Sequence, residues 1–112
     1  LEIGSYPLLR PWRFDETTWF SATQTVAWGA PGANMTGSDR SEMATDIVTA
    51  DGAPGWYSWD VSRAVRNWLT DPAHNFGLIL KSWTHSNPEY HFISIFTRSG
   101  IWVPYHPQLQ IE

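Results

Sequence analysis

The chain has 112 residues, with 7 Lys and Arg against 11 Asp and Glu, a formal net charge of −4, and no cysteine. That length sets one domain with a modest core. An acidic balance without a basic run argues against a nucleic-acid backbone as partner. The lack of cysteine excludes disulfides and thiolate metal centres without assigning a compartment, and no apolar run approaches the ~20 residues of a membrane span.

In chain order the sequence reads mainly as strands. Leu1 and Ile3 alternate with Glu2 and Gly4, the pattern of a half-buried strand. Pro7 and Pro11 exclude a helix around Leu8 to Arg10. Thr17 to Phe20 is rich in strand formers, and Gln24 to Trp28 is a second extended stretch, ended by the turn signal Ala30-Pro31-Gly32. Asn34 to Glu42 is polar and rich in Gly, Ser and Asp, a long loop. Asp46 to Ala50 is a short strand, Asp51-Gly52 and Pro54-Gly55 are turns, and Trp56 to Trp59 is extended.

One helix is expected, over about residues 61–69. Asp60 is placed to accept a hydrogen bond from its first turn. Val61, Ala64, Val65 and Trp68 recur at i, i+3, i+4 and i+7, while Arg63, Arg66 and Asn67 face away. Asp71-Pro72 ends it. Phe76 to Lys81 and Tyr90 to Phe96 read as strands with two apolar faces, joined through Ser86-Asn87-Pro88. Leu109 and Ile111 alternate with Gln108, Gln110 and Glu112, a last strand with one wet face. Many short strands at this turn spacing predict an all-β antiparallel sandwich with one short helix.

Chemistry-bearing patterns are sparse. Asp15 and Glu16 are adjacent, so in an extended segment they point to opposite sides and make no acid/base pair. His74, His85, His91 and His106 lack ligand spacing, Ser94 lacks a nucleophile elbow, and there is no phosphate loop. The reading is that of a protein that is not an enzyme and needs no cofactor. A structural calcium on Asp39, Asp46 and Asp51 has no EF-hand spacing to support it, and these read as loop carboxylates. Eight tryptophans can serve as core ballast or as stacking platforms. Trp12, Trp19, Trp56 and Trp68, with Val65, are read as structural core. Trp83, Trp102 and Tyr105, with Asn87, Arg98, His91 and Glu89 nearby, are candidates for stacking a sugar or anchoring a protein.

PWRFDETTW, WGAPGA, WYSWDVSRAVRNW, NFGLILK and PQLQI, in that order, resemble the DNRLRE-type domain of secreted proteins, a group related to alginate-type carbohydrate-binding modules. The likeness departs at Ser94-Ile95-Phe96 and at His106-Pro107, and it lacks the family's leading strands. It implies a jelly-roll-like sandwich and an extracellular, non-catalytic module. Residues 1–112 are then a single sandwich domain incomplete at its N-terminus, beginning after a cleavage, a truncation or a further segment. The expected function is a structural or adhesion module that assembles with self or sibling chains by strand complementation, as a filament, matrix or cell-surface subunit. Leu1, Ile3, Leu109 and Ile111 are its assembly edges. The alternative is a module that binds a polysaccharide through the exposed aromatics.

Overall fold

The structure, a computed structural model, describes residues 1–82 and 107–111. Among the described residues three strands form one antiparallel sheet in the order β2-β1-β3: β1 is Glu2–Pro7, β2 is Asp46–Thr49 and β3 is Leu78–Ser82. β1 pairs Ile3 with Val48 on one side and with Ser82 on the other, so the strand expected at the chain's start lies at the centre of the sheet. Its burial follows from that place: Ile3, Gly4, Ser5 and Tyr6 are all buried. Small residues at the middle let the neighbours close in. A Cβ at Gly4 would sit 2.8 Å from the Tyr6 ring, which lies on the same face two residues on. Pro7, which has no N–H to give, stands at the strand's last position.

β2 alternates, with Asp46 and Val48 half-buried and Ile47 and Thr49 exposed. The sequence places this strand to within one residue. On β3, Ile79 packs against the core cluster and Leu80 is exposed. That cluster is Leu8, Ala22, Trp28 and Ala33, with Phe76 and Ile79 against it. The Trp28 indole N–H donates to the Thr18 carbonyl at 3.1 Å, so a large ring is buried with its one polar atom satisfied.

The helix, α1, spans Ser62–Thr70. Asp60 stands just ahead of it and its carboxylate accepts the Ser62 N–H at 2.9 Å; the Ser62 hydroxyl first, and this N–H after it, hold that carboxyl below its ordinary pKa. Of the expected stripe, Ala64 is buried and Val61, Val65 and Trp68 are half-buried, while Arg63, Arg66 and Asn67 are exposed. Arg63 reaches the Ala44 carbonyl, and the Trp59 indole N–H donates to the Ile3 carbonyl at 2.8 Å, so the helix and its lead-in are tied to β1 and to the approach to β2. Pro72 begins a short 3-10 turn, Pro72–His74, where α1 stops.

Two expected strands are turns instead. Between Thr17 and Trp28 the ladder is a single bridge, Ser21 with Ala27. The cause is local competition: the Thr18 hydroxyl accepts the N–H groups of Phe20 and Ser21, and the Thr23 hydroxyl accepts that of Val26. Trp56 to Trp59 is likewise in no strand, and the Tyr57 hydroxyl there donates to Asp51 and to the Ala53 carbonyl. Residues 107–111 belong to no strand or helix. The expected strand at Tyr90 to Phe96 lies outside the described residues. The architecture shown is largely β, a three-stranded antiparallel sheet with one short helix.

Because Trp28 is the largest ring in the buried cluster, Trp28→Ala is expected to cost ~3–5 kcal/mol. Equilibrium denaturation in urea checks this, and a near-parental midpoint would remove Trp28 from the core.

Candidate interaction surface

The best-built feature of the molecule is the loop from Trp28 to Ser41, folded around one carboxylate. Asp39 is fully buried. Its Oδ1 accepts the Gly29 N–H at 2.8 Å, and its Oδ2 accepts those of Ala30 and Met35 at 3.0 and 3.1 Å. Arg10 Nε stands 3.3 Å from Oδ1, and Arg10 also donates to the Ala27 and Ser38 carbonyls. Desolvation pushes the Asp39 carboxyl up. The three N–H donors and the Arg10 charge outweigh it and hold the group below the ordinary carboxylate value.

Next to it, the Arg40 guanidinium lies 4.6 Å from the Tyr6 ring centre and donates to the Asn34 side-chain oxygen at 2.9 Å. The Trp19 ring rests on Gly32, where an added Cβ would come within 2.5 Å of it, and φ there is +75°, so glycine is required twice over. Lys81 Nζ lies 5.8 Å from the Trp19 ring. Burial holds the Lys81 ammonium below its ordinary value, and the Arg40 charge adds to the effect. Trp19, Trp28, Ala33, Leu80 and Lys81 are among the residues lining a cleft of about 380 Å³.

The expected core tryptophans are placed differently. Trp12, Trp19 and Trp56 are 39%, 64% and 61% exposed, while Trp28, not among the expected core residues, is 8% exposed. The Trp12 N–H donates to the Phe76 carbonyl at 2.5 Å, so that amphipathic ring stays part wet with its N–H satisfied. Ala22 and Ala33 around Trp28 are the missed signal, small residues that leave room for a ring. Val65 and Trp68 are half-buried on α1.

Ile3, expected at an assembly edge, lies on the central strand, and Leu1 exchanges N–H···O bonds with Ala50 beside β2. Both sides of β1 are taken, so it offers no edge. Leu109 and Ile111 are 61% and 84% exposed. Trp83, Trp102, Tyr105, Asn87 and Arg98, together with Glu89, His85, His91 and His106, lie outside the described residues.

The acidic residues have structural duties. Arg13 Nε holds Glu16 at 2.7 Å and Asp15 at 3.6 Å, so both carboxylates share one guanidinium on an exposed turn. Asp46 accepts the N–H groups of Ile47 and Asp60. Asp51 accepts those of Ala53 and the Tyr57 hydroxyl, which hold it below its ordinary value. His74 Nδ1 is 2.6 Å from Asp71. Among the described residues no group of three or more His, Cys, Asp or Glu could hold a metal ion, and no helix is long and apolar enough to cross a membrane.

The described residues form a β-rich unit in which many charged groups hold loops and several large aromatics lie at the surface. The chain is a member of the TGF-beta propeptide family, whose profile matches residues 28–107. Members are secreted, are not enzymes, and associate with other protein chains, the mature growth factor. No curated protein and no solved structure matches the chain. The family match overturns the resemblance to a DNRLRE-type domain. Most of the quoted motifs, from WGAPGA to NFGLILK, fall inside the matched span.

The Asp39 cradle has a pH signature. Its folded carboxyl lies below the unfolded value of ~3.9, so its stabilisation is complete above that value and drains as pH falls through the folded one. Asp39→Ala is expected to cost ~3–5 kcal/mol, because Arg10 and three N–H groups lose a buried partner. Asp39→Asn should flatten the fall of stability with acid that urea melts show below about pH 5. An unchanged slope would show that the cradle is not what acid dismantles.

Proposed function

We propose that the chain is the non-catalytic binding half of a secreted complex and holds its growth-factor partner by β-strand pairing, with Gln108–Ile111 as the donated strand. The observation that carries this reading is the exposure of Leu109 and Ile111, 61% and 84%, in a segment that belongs to no strand or helix. Alternation with Gln108 and Gln110 puts both apolar side chains on one face once the segment is extended. Pairing with a sheet edge would satisfy its backbone groups and bury that face together.

The thin core supports the same conclusion. Among the described residues the large buried hydrophobics are Ile3, Tyr6, Leu8 and Trp28, while Phe14, Phe20, Ile47 and Trp56 are more than half exposed. A partner that covers part of this surface adds apolar burial at about 25 cal/mol per Å². The jelly-roll-like sandwich is then the architecture of the assembled state, with the three-stranded sheet as one layer. If the acceptor edge is on a second copy, the contact is head-to-tail and gives the filament or matrix form. Polysaccharide stacking on Trp83, Trp102 and Tyr105 draws on residues outside the described set, and the exposed alternating segment favours strand pairing over it.

The test uses the whole secreted precursor and measures growth-factor co-purification. Leu109→Lys with Ile111→Lys is expected to weaken retention about tenfold or more, equivalent to ~1.4 kcal/mol. Gln108→Lys with Gln110→Lys, on the other face, should stay near parental. Equal retention in both, or equal loss in both, would overturn the strand reading.

A further inference from the structure

Asn34-Met35-Thr36 has the form Asn-x-Thr with a residue other than proline between, and it is the one such triplet in the chain. The structure places all three residues at the exposed surface of the Asp39 loop. We propose that Asn34 is an N-glycosylation site, occupied as the chain passes through the secretory route that its family takes.

The local geometry suits a glycan. Arg40 is a donor only, so the atom it faces at 2.9 Å is the Asn34 carboxamide oxygen, which leaves Nδ2 as the atom not engaged. Attachment at Nδ2 therefore keeps the Arg40 contact and, through it, the guanidinium over Tyr6. The backbone on either side is held: Asn34 N–H donates to the Ala30 carbonyl, and Met35 N–H to Asp39. Three residues beyond Asn34, Gly37 has φ +86°, and a Cβ there would meet nothing within 4 Å, so the loop tip borders open space. The neighbours of Asn34 are thus fixed by the cradle while its nitrogen faces no protein partner among the described residues.

The reaction is a group transfer from a polyprenyl-diphosphate-linked oligosaccharide. The anomeric C1–O bond to the diphosphate breaks and a C1–Nδ2 bond forms. Nδ2 loses one proton to a base of the transferase, and the lipid diphosphate leaves. Thr36 supplies the hydroxyl that the transferase reads two residues after the acceptor. A sugar here marks the Trp28–Ser41 loop as a solvent face of the complex and puts the growth-factor contact elsewhere, which agrees with, but does not depend on, a strand at Gln108–Ile111.

The experiment is a peptide map of the whole precursor secreted from cultured animal cells, deglycosylated by peptide N-glycosidase in heavy-oxygen water. The expected result is an Asn34 peptide converted to Asp with heavy oxygen incorporated. The mark should be lost in Thr36→Ala and kept in Thr36→Ser. Unmodified Asn34 in the secreted parent, or a mark that persists in Thr36→Ala, would overturn the proposal. The parent protein alone decides the first outcome, so it holds even if a variant fails to fold, and growth-factor retention plays no part in it.

Discussion

Among the described residues the structure turns on one buried carboxylate. Asp39 collects the N–H groups of Gly29, Ala30 and Met35 and faces Arg10, and through these it fixes a loop that has almost no ladder of its own. A loop buried without such a hub would strand its donors, at about 1–3 kcal/mol each. With it, Gly32 is set where the Trp19 ring can rest, Ala33 joins Trp28 and Leu8 in the core, and Arg40 reaches Tyr6 on the central strand. A carboxylate with several donors and one guanidinium is stable when buried only because every contact is present together, so the loop behaves as a unit.

The same logic explains where the sequence was legible. Periodic elements were clear: β2 was read to within one residue, and α1 with its Asp60 lead-in and half-buried stripe to within one at each end. β1 was read as a strand too short by its C-terminal half, because Gly4-Ser5 breaks the apolar alternation. A central strand flanked on both sides can use small residues where an edge strand needs large ones, and flanking is not a local property. Thr17 to Phe20 failed for the opposite reason. Its residues favour strands, but the hydroxyls of Thr18 and Thr23 satisfy nearby N–H groups and turn the chain instead.

The tryptophans show the limit of composition as a guide to burial. Trp12, Trp19 and Trp56 stand in motif-like positions and are exposed, whereas Trp28, next to Gly29, is buried among alanines. What decides the matter is the size of the neighbours brought together from Ala22 and Ala33, and that information is tertiary. The Asp39 cradle was hidden for a related reason. In the sequence it is one of several loop acids, and only its donors, four to ten residues away, distinguish it from Asp46 and Asp51. The family assignment likewise came from the match over residues 28–107 and not from the order of motifs.

On the proposed strand-pairing reading, the domain's stability and its binding are one quantity. Few large side chains are buried among the described residues, and domains of this size keep only about 5–15 kcal/mol in total. Any partner that binds the folded form alone adds RT ln(1 + [L]/Kd), about 4.1 kcal/mol when it is present at a thousand times its Kd. A propeptide made in the same chain or compartment as its growth factor meets that condition at assembly and loses it on dilution. The exposed apolar side chains are then the unfilled half of a shared core. On that reading the Asp39 loop, held by its own N–H donors and by Arg10, is the part of the domain expected to keep its shape when the partner leaves.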